Sequence, residues 1–476
     1  MIRSRHLSSS IKNKSQTVDG QQLLSIRWRE LFFGSLNRRI FSATVLIGAL
    51  TLGVKLVSML KEMFVAAWFG TGDALDAFVI AFMVPSYIIN VVAGSFNAAL
   101  IPVHVDVREN QGVPAAQRLF SGTVALSLAI LLTVTLCLGL LGPVILPFLC
   151  SGFGPEKMML TERLFYLLLP AIVISGLLTN WESVLNAGER FGIAALAPVI
   201  LPVTTVAVLS LLGARCGIEA LAIGTVAGLL LQLLVLGWVL TKRGIKLLPR
   251  WHGFDVPMKR VVRQYLPLVG AAALMCSNLL VDQAMATMLA PGSVAALNYG
   301  NKLVALVLTV GTMALGTAVL PYFSKMVAAT NWSGLKYTLI TYTRLLLLVT
   351  VSATCLGLWL SKPLVSLLFQ RGNFTAGDAQ LVSSIQSMYM LQVPFYTLGI
   401  LFVRMISSLE INHVLLWNTI IGFTANVVLD YVLMHVMGVA GIALSTSLVY
   451  AATCTFLGTV LYRKLRRIEL ETSSCG

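Results

Sequence analysis

The sequence predicts an all-α, polytopic membrane protein with about twelve transmembrane helices. Hydrophobic residues make up 57% of the 476 positions and charged residues only 11%, against about 25% charged residues in a typical soluble domain. Apolar runs of roughly 20 residues, long enough to cross the hydrocarbon core, recur from Phe41 to Tyr462. The alternating ten-residue segments of a transmembrane β-barrel are not visible. These observations predict a helical bundle.

The apolar runs form two sets of six, separated by a basic loop. The predicted spans are residues 42–69, 75–101, 119–147, 160–187, 191–212 and 217–240, then 265–289, 296–326, 337–368, 378–408, 411–435 and 438–462. We therefore divide the chain into a basic, amphipathic N-terminal segment (1–40), an N-terminal six-helix bundle (41–240), a basic linker (241–264), a C-terminal six-helix bundle (265–462) and a tail (463–476).

The distribution of positive charge predicts the orientation in the membrane. Most of the Lys and Arg residues lie in the N-terminal segment, the linker and the tail. Because cytoplasmic loops carry an excess of Lys and Arg, we expect both termini and the linker in the cytoplasm. The net charge of +15 is thereby explained by topology, so we expect no nucleic-acid partner.

The two predicted bundles resemble each other in sequence. Leu100-Ile101-Pro102 closes the second predicted span, and Val319-Leu320-Pro321 closes the eighth. The sequence GIEALAIGT from Gly217 parallels GVAGIALST from Gly438. Six helices in each half give both halves the same topology, which predicts parallel repeats related by an axis along the membrane normal, as in many alternating-access transporters.

Several blocks of the sequence resemble a known family. They are LKEMFVAAWFGTGDALDAFVIAFMVP from Leu60, AALIPV from Ala98, LNAGERFGIAALAPVILP from Leu185, LFQRGNFTAGDA from Leu368 and GVAGIALSTSL from Gly438. They resemble the MviN/MurJ lipid II flippases of the multidrug/oligosaccharidyl-lipid/polysaccharide exporter superfamily, over about residues 45 to 462. The resemblance implies a monomeric flippase of the bacterial inner membrane. Its substrate would be an undecaprenyl-pyrophosphate-linked saccharide, carried from the inner to the outer leaflet.

The resemblance also implies a cationic cavity, since an anionic pyrophosphate cannot cross hydrocarbon unaided. The positions that match cavity arginines of the family are Lys55, Lys61 and Lys302. Glu62 and Asp76 match acidic family positions, and we expect them to pair with these lysines in one conformation. Asn90 is the only strongly polar residue between Pro85 and Ser95 on the second helix, apart from the residues next to the proline.

Three departures from the family pattern leave the cargo open. Lysine replaces arginine at three cavity positions and lacks the bidentate guanidinium fork. An arginine pair that the family tends to carry after the second-helix proline is absent, and about twelve helices are predicted where lipid II flippases usually have two more. The cargo is lipid II or, alternatively, an exopolysaccharide or O-antigen repeat on the same lipid carrier.

A second polar set lies in the C-terminal bundle. Asn426 and Asp430 are four residues apart and share one face of a helix, while Asp282 and Thr446 lie on other predicted helices. Oxygen ligands of this kind suit a small hard cation. The resemblance implies sodium, rather than a proton, at this set and adds the backbone carbonyl of Ile442; the residues alone leave sodium, a proton and the membrane potential open as the source of coupling. We expect no other cofactor, because the seven scattered cysteines form no metal-binding pair.

Two other functional classes are less consistent with the sequence. A drug or cation antiporter of the same superfamily would have an acidic cavity for cationic substrates, whereas the N-terminal half offers lysines. A membrane enzyme would need a catalytic acid/base constellation, and neither such a set nor a nucleotide-binding loop is visible. We therefore predict a transporter that is not an enzyme.

Overall fold

A computed structural model of the chain describes residues 35–187, 191–245, 247–316 and 319–474. Within these ranges every regular element is a helix, so the predicted all-α class is confirmed. Most of the predicted N-terminal segment (1–40), with its amphipathic stretch, lies outside the described residues.

Six long helices make up the N-terminal half. They are α1 (Ser35–Phe69), α2 (Asp73–Gln111), α3 (Val113–Leu149), α4 (Pro155–Leu185), α5 (Ala197–Cys216) and α6 (Glu219–Lys242). A short helix, Phe191–Leu196, precedes α5.

Six more make up the C-terminal half. They are α7 (Val256–Ala286), α8 (Ser293–Gly316), α9 (Trp332–Phe369), α10 (Ala376–Ser408), α11 (His413–Met437) and α12 (Val439–Ser474). A short helix, Val319–Ala328, follows α8.

Ten helices in the described residues are long and apolar enough to cross a membrane. The other two long helices are α1 and α8, which occupy the positions of the first and eighth predicted spans. They are also the helices that carry Lys55, Lys61 and Lys302. The chain is therefore a multi-pass membrane protein in which two adjacent long helices hold ionisable side chains.

The expectation that Pro102 ends the second span was wrong, because Pro102 lies inside α2, which continues to Gln111. Pro321, which we expect to close the eighth span, lies in the first turn of the separate short helix Val319–Ala328. A proline removes one backbone hydrogen bond but does not end a helix whose flanking turns are held by neighbouring helices.

The two halves share an unusual turn. Gly217 joins α5 to α6 with φ of 54°, and Gly438 joins α11 to α12 with φ of 61°. Each of these glycines adopts a conformation that residues with a Cβ rarely take. The parallel that the sequence shows between Gly217 and Gly438 is thus also a parallel of backbone geometry.

The halves meet closely at one end of the bundle, which we call the distal end. It carries the loops 70–72, 150–154, 287–292 and 370–375, whereas the linker 243–255 lies at the opposite, linker end. A Cβ on Gly292 would overlap the carbonyl oxygen of Thr71, and one on Gly152 would overlap that of Thr287. One hydrophobic core joins both halves here, and it includes Leu75 of α2 and Tyr299 of α8. The distal end is closed.

Candidate functional site

A cluster of three charged side chains lies where α1 faces α8. Lys61 Nζ is 2.7 Å and Lys302 Nζ is 3.2 Å from the same oxygen, Oε1 of Glu62. The side chains are 24%, 36% and 13% exposed for Lys61, Lys302 and Glu62. Glu62 therefore pairs with two of the three lysines as expected. The cluster (Lys61, Glu62, Lys302) has a net charge of +1 and links the two halves.

The two other predicted cavity residues lie outside this cluster. Lys55 is exposed on α1 and, within the described residues, makes no ion pair. Asn90 is exposed and donates to the carbonyl of Ser86 at 2.9 Å. It lies in a π-helical turn, Ile89–Ala93, just after Pro85. Such turns within α-helices frequently occur at functional sites.

Asp76 takes a different position from the one we expected. It is 1% exposed and pairs with Lys157 of α4 at 2.7 Å, not with Lys61 or Lys302. Its two oxygens also accept from the backbone N–H groups of Gly292 and Ala295, each at 2.7 Å. The carboxylate thus caps the N-terminus of α8, where unpaired N–H groups and the helix dipole favour negative charge. Asp76 of the N-terminal half thus holds the first turn of α8, a helix of the C-terminal half.

Lys157 is a residue that the sequence reasoning missed. Its ammonium also pairs with Asp73 at 2.6 Å and lies 4.1 Å from the centre of the Phe153 ring. The available signal was topological, because the starts of α2 and α4 must lie at the same end of the bundle. The start of α2 carries two aspartates and the start of α4 carries Lys157, so an ion pair between the two helices was compatible with the sequence.

Further hydrogen bonds join the halves at the distal end. The hydroxyl of Thr71 donates to Asp378, the residue that also forms a capping box with Thr375 at the start of α10. The backbone N–H of Asn373 donates to the carbonyl of Ala67 at 2.9 Å. Together with the contacts of Asp76, these hydrogen bonds hold the two halves together at the distal end, next to the shared hydrophobic core.

The predicted cation ligands lie together in the C-terminal half. Asn426 donates to Oδ1 of Asp282 at 3.0 Å, and the hydroxyl of Thr446 lies 3.4 Å from Oδ2 of Asp282. The same hydroxyl donates to the carbonyl of Ile442 at 3.3 Å. These contacts bring α7, α11 and α12 to one point.

Asp430 completes this set in an unusual way. It is fully buried one turn from Asn426, and its carboxylate lies against the carboxylate of Asp282 and the hydroxyl of Ser445. Neither of its oxygens accepts a hydrogen bond of regular geometry from the described residues. A buried carboxylate without a partner costs several kcal/mol unless a cation or proton compensates it. Among the described residues, no three or more His, Cys, Asp or Glu side chains lie together so that they could hold a metal ion. Two carboxylates with an amide, a hydroxyl and a carbonyl fit a hard monovalent cation better than a transition metal.

The C-terminal half contains a cavity of about 720 Å³, and Asp282, Asn426 and Thr446 are among the residues that line it. This volume lies within the roughly 300–1,000 Å³ typical of ligand pockets.

Comparison with known sequences identifies the family. A sequence model described as "Lipid II flippase MurJ" matches residues 65–474. A probable lipid II flippase MurJ of Rhizobium meliloti is 28% identical over 410 residues, covering 83% of this chain and 76% of that protein. Another, of Synechocystis, is 25% identical over 450 residues, covering 92% of this chain and 84% of that protein.

Comparison with solved structures shows the same fold. A structure of lipid II flippase MurJ in an inward closed conformation has a TM-score of 0.74 and 21% identity, covering 90% of both chains. An inward-facing multidrug transporter of the multidrug/oligosaccharidyl-lipid/polysaccharide superfamily has a TM-score of 0.73 and 13% identity, covering 90% of this chain and 99% of that one. The chain is a membrane transporter rather than an enzyme, and it belongs to the lipid II flippase MurJ family.

Proposed function

We propose that this protein moves an undecaprenyl-pyrophosphate-linked saccharide from the inner to the outer leaflet of the bacterial inner membrane by alternating access. The observation that carries the proposal is the cluster of Lys61, Glu62 and Lys302 at the junction of the two halves. A pyrophosphate needs positive charge along its path. Because the cluster has members in both halves, its ion pairs separate when the halves move apart.

Glu62 acts in this proposal as an internal counter-ion. In the empty transporter it neutralises part of the charge of Lys61 and Lys302 by holding both ammonium groups on one oxygen. A bound pyrophosphate takes over these contacts, with Lys55 as a further positive charge on α1. Charge-assisted hydrogen bonds of this kind are roughly twice as strong as neutral ones.

The closed distal end supports loading from the linker end. The basic linker and tail are proposed to be cytoplasmic, with both termini inside, so the cargo enters from the inner leaflet. Release to the outer leaflet then requires the distal contacts of Asp76, Thr71 and Asn373 to separate. We propose that the monomer is the working unit.

We further propose that sodium binds at Asp282, Asn426, Asp430, Thr446 and the carbonyl of Ile442. When bound, the ion supplies the positive charge that two buried carboxylates require. The ligands come from α7, α11 and α12, so occupancy favours the arrangement in which these helices approach each other. An ion shifts the access equilibrium only through its different affinity for the two states.

The family name favours lipid II as the cargo. The lysines at three positions where the family typically has arginine, with Asn90 as the polar residue after Pro85, favour an exopolysaccharide or O-antigen repeat. Deletion in the native host distinguishes the two cargoes. Lethality with lipid II accumulating in the inner leaflet supports lipid II, whereas loss of one surface polysaccharide without lysis supports the second cargo.

The proposal is tested by complementation of a strain that lacks its own flippase. Lys61→Ala and Lys302→Ala should abolish growth, Lys55→Ala should reduce it, and Lys→Arg variants should retain it because the charge remains. Lys362→Ala, on an exposed position of α9, is the matched control and should grow normally. Normal growth of all three cavity Ala variants at equal membrane expression would contradict the proposal.

A further inference from the structure

The cavity of the C-terminal half contains polar groups that the phosphate-binding cluster and the cation site do not use. Four amide side chains on four helices line it: Asn278 of α7, Asn301 of α8, Gln392 of α10 and Asn418 of α11. The side-chain oxygens of Asn278 and Asn418 are buried and have no hydrogen-bond partner in the part of the chain that the structure describes. Amides in apolar helices are costly unless they are paired, so unpartnered amide oxygens from two helices around one cavity indicate a polar ligand.

The charge of the cavity narrows the class of this ligand. Of the described residues that line it, only Asp282 is charged, and Asp282 is already engaged with Asn426 and Thr446. The cavity therefore offers no fixed charge to a cationic or anionic ligand beyond the cation site. An amide both donates and accepts, which matches the combined donor and acceptor character of hydroxyl and acetamido groups.

Aromatic side chains add a second feature of saccharide sites. Tyr396 of α10 and Tyr450 of α12 line the same cavity, and their rings meet edge to face at 5.1 Å. A tyrosine presents an apolar ring and a polar hydroxyl, and a sugar likewise has apolar C–H faces and a polar rim. Polar groups that fix orientation, combined with aromatic walls, are the usual composition of a small-molecule site.

The position of the cavity relative to the charged cluster is informative. Asn301 lines the cavity, and the next residue, Lys302, contacts Glu62 of the N-terminal half. One turn of α8 therefore faces the cavity on one side and the cluster on the other. A pyrophosphate held at Lys302 has its attached sugar within reach of the cavity.

We propose that this cavity binds the uncharged saccharide next to the pyrophosphate, with Asn278, Asn301, Gln392 and Asn418 as its hydrogen-bonding groups. The inference rests on the proposed function for the identity of the cargo. It assigns the two chemical parts of the cargo to different places: phosphate to the cluster between the halves, and sugar to the C-terminal half. Cargo selection by saccharide then depends on residues of α7, α8, α10 and α11.

The test uses purified full-length protein in nanodiscs and the disaccharide N,N′-diacetylchitobiose, which carries neither lipid nor phosphate. Saturation-transfer difference NMR should show transfer to its ring protons. Asn278→Leu and Asn418→Leu, on two different helices, should each weaken binding about fivefold, the effect of losing one hydrogen bond. Asn110→Leu removes an exposed amide at the linker end and should bind like wild type. Either Leu variant suffices if the other fails to fold.

Lys302→Ala separates this inference from the proposed function. The disaccharide has no phosphate, so its binding should persist in this variant although transport is lost. Disaccharide binding together with full transport by all lysine variants would overturn the proposed function and retain the saccharide site. Absence of transfer in wild type, or equal transfer in wild type and both Leu variants, would overturn the saccharide site whatever the lysine variants do.

Discussion

Two regions of this protein bury an aspartate, and the two aspartates differ in their hydrogen-bond partners. At the distal end, Asp76 receives an ammonium and two backbone N–H groups, all at 2.7 Å. In the C-terminal half, Asp430 is equally buried, but it faces a second carboxylate, that of Asp282, and accepts no hydrogen bond of regular geometry from the described residues. The first carboxylate is satisfied by the protein, whereas the second is not.

This difference separates a structural role from a binding role. A buried charge whose hydrogen bonds are complete holds its partners in one geometry, and removing it leaves those partners unsatisfied. A buried charge without partners is stable only when something outside the chain compensates it. Asp76 therefore belongs to the contact that closes the distal end, and Asp430 belongs to the set of residues for which we propose a bound cation.

The largest loss of stability should follow from replacing Asp76, the carboxylate whose hydrogen bonds are complete. Asp76→Ala leaves the N–H groups of Gly292 and Ala295 without their acceptor, and it leaves the ammonium of Lys157 paired with the exposed Asp73 alone. We expect it to cost about 3–5 kcal/mol of stability, the usual loss when one member of a buried pair is removed. Thermal unfolding of the purified protein measures this. Loosening of the distal end should also expose Cys150, which is 1% exposed, to maleimide in a variant without the other cysteines.

Asp73→Asn is the matched control for this prediction. Asp73 binds the same ammonium at 2.6 Å, but its side chain is 58% exposed. Exposed ion pairs contribute about 1 kcal/mol or less, so stability and labelling of Cys150 should change little. Equal losses from Asp73→Asn and Asp76→Ala would mean that the charge of Lys157, and not the capping of α8, holds the distal end.

A change of intermediate size in the free energy of unfolding should appear at Asp430, and it should depend on which cation is present. Sodium should stabilise the wild-type protein more than potassium or choline at equal ionic strength, by about 2.7 kcal/mol at a hundredfold excess over its dissociation constant. Asp430→Asn should be at least as stable as wild type without sodium, because the amide removes the repulsion from Asp282. It should lose the selective response to sodium.

The Asp73→Asn variant serves again as the control, since it leaves the C-terminal half unchanged and should keep the sodium response. If wild type and Asp430→Asn unfold at the same temperature in all three salts, Asp282 and Asp430 are packing groups. Ion coupling would then have to be sought outside this set.

The sequence predicted the fold well because the bilayer imposes a simple constraint. A spanning helix needs a long apolar run, and the helices of the structure lie at all twelve predicted positions. The ends of the helices were predicted less well. Pro102 lies within α2 because neighbouring helices hold the turns on either side of it, and that packing is not visible in a linear pattern.

The candidate sites were predicted unevenly for a physical reason. Asn426 and Asp430 lie four residues apart on one helix, so their shared face follows from helical periodicity. Two of the three partners of Asp76 do not follow from any pattern, because they are backbone N–H groups, which nearly every residue has. The amides Asn278 and Asn418 were visible as polar residues in apolar helices, but their common cavity depends on how α7 and α11 pack.

The smallest change in stability should come from an exposed aspartate that has an ion-pair partner. At the linker end, Asp106 of α2 pairs with Arg260 of α7 at 2.5 Å, and both side chains are exposed, at 40% and 51%. Water and salt screen such a pair, so Arg260→Gln should leave the unfolding temperature unchanged at both low and high ionic strength. This contact also joins the two halves, so the variant measures how much an exposed ion pair between them contributes to stability.

A loss of stability as large as that of Asp76→Ala would show that the linker end is held as firmly as the distal end. In that case burial would not distinguish the two ends, and the proposed loading from the linker end would lose its support.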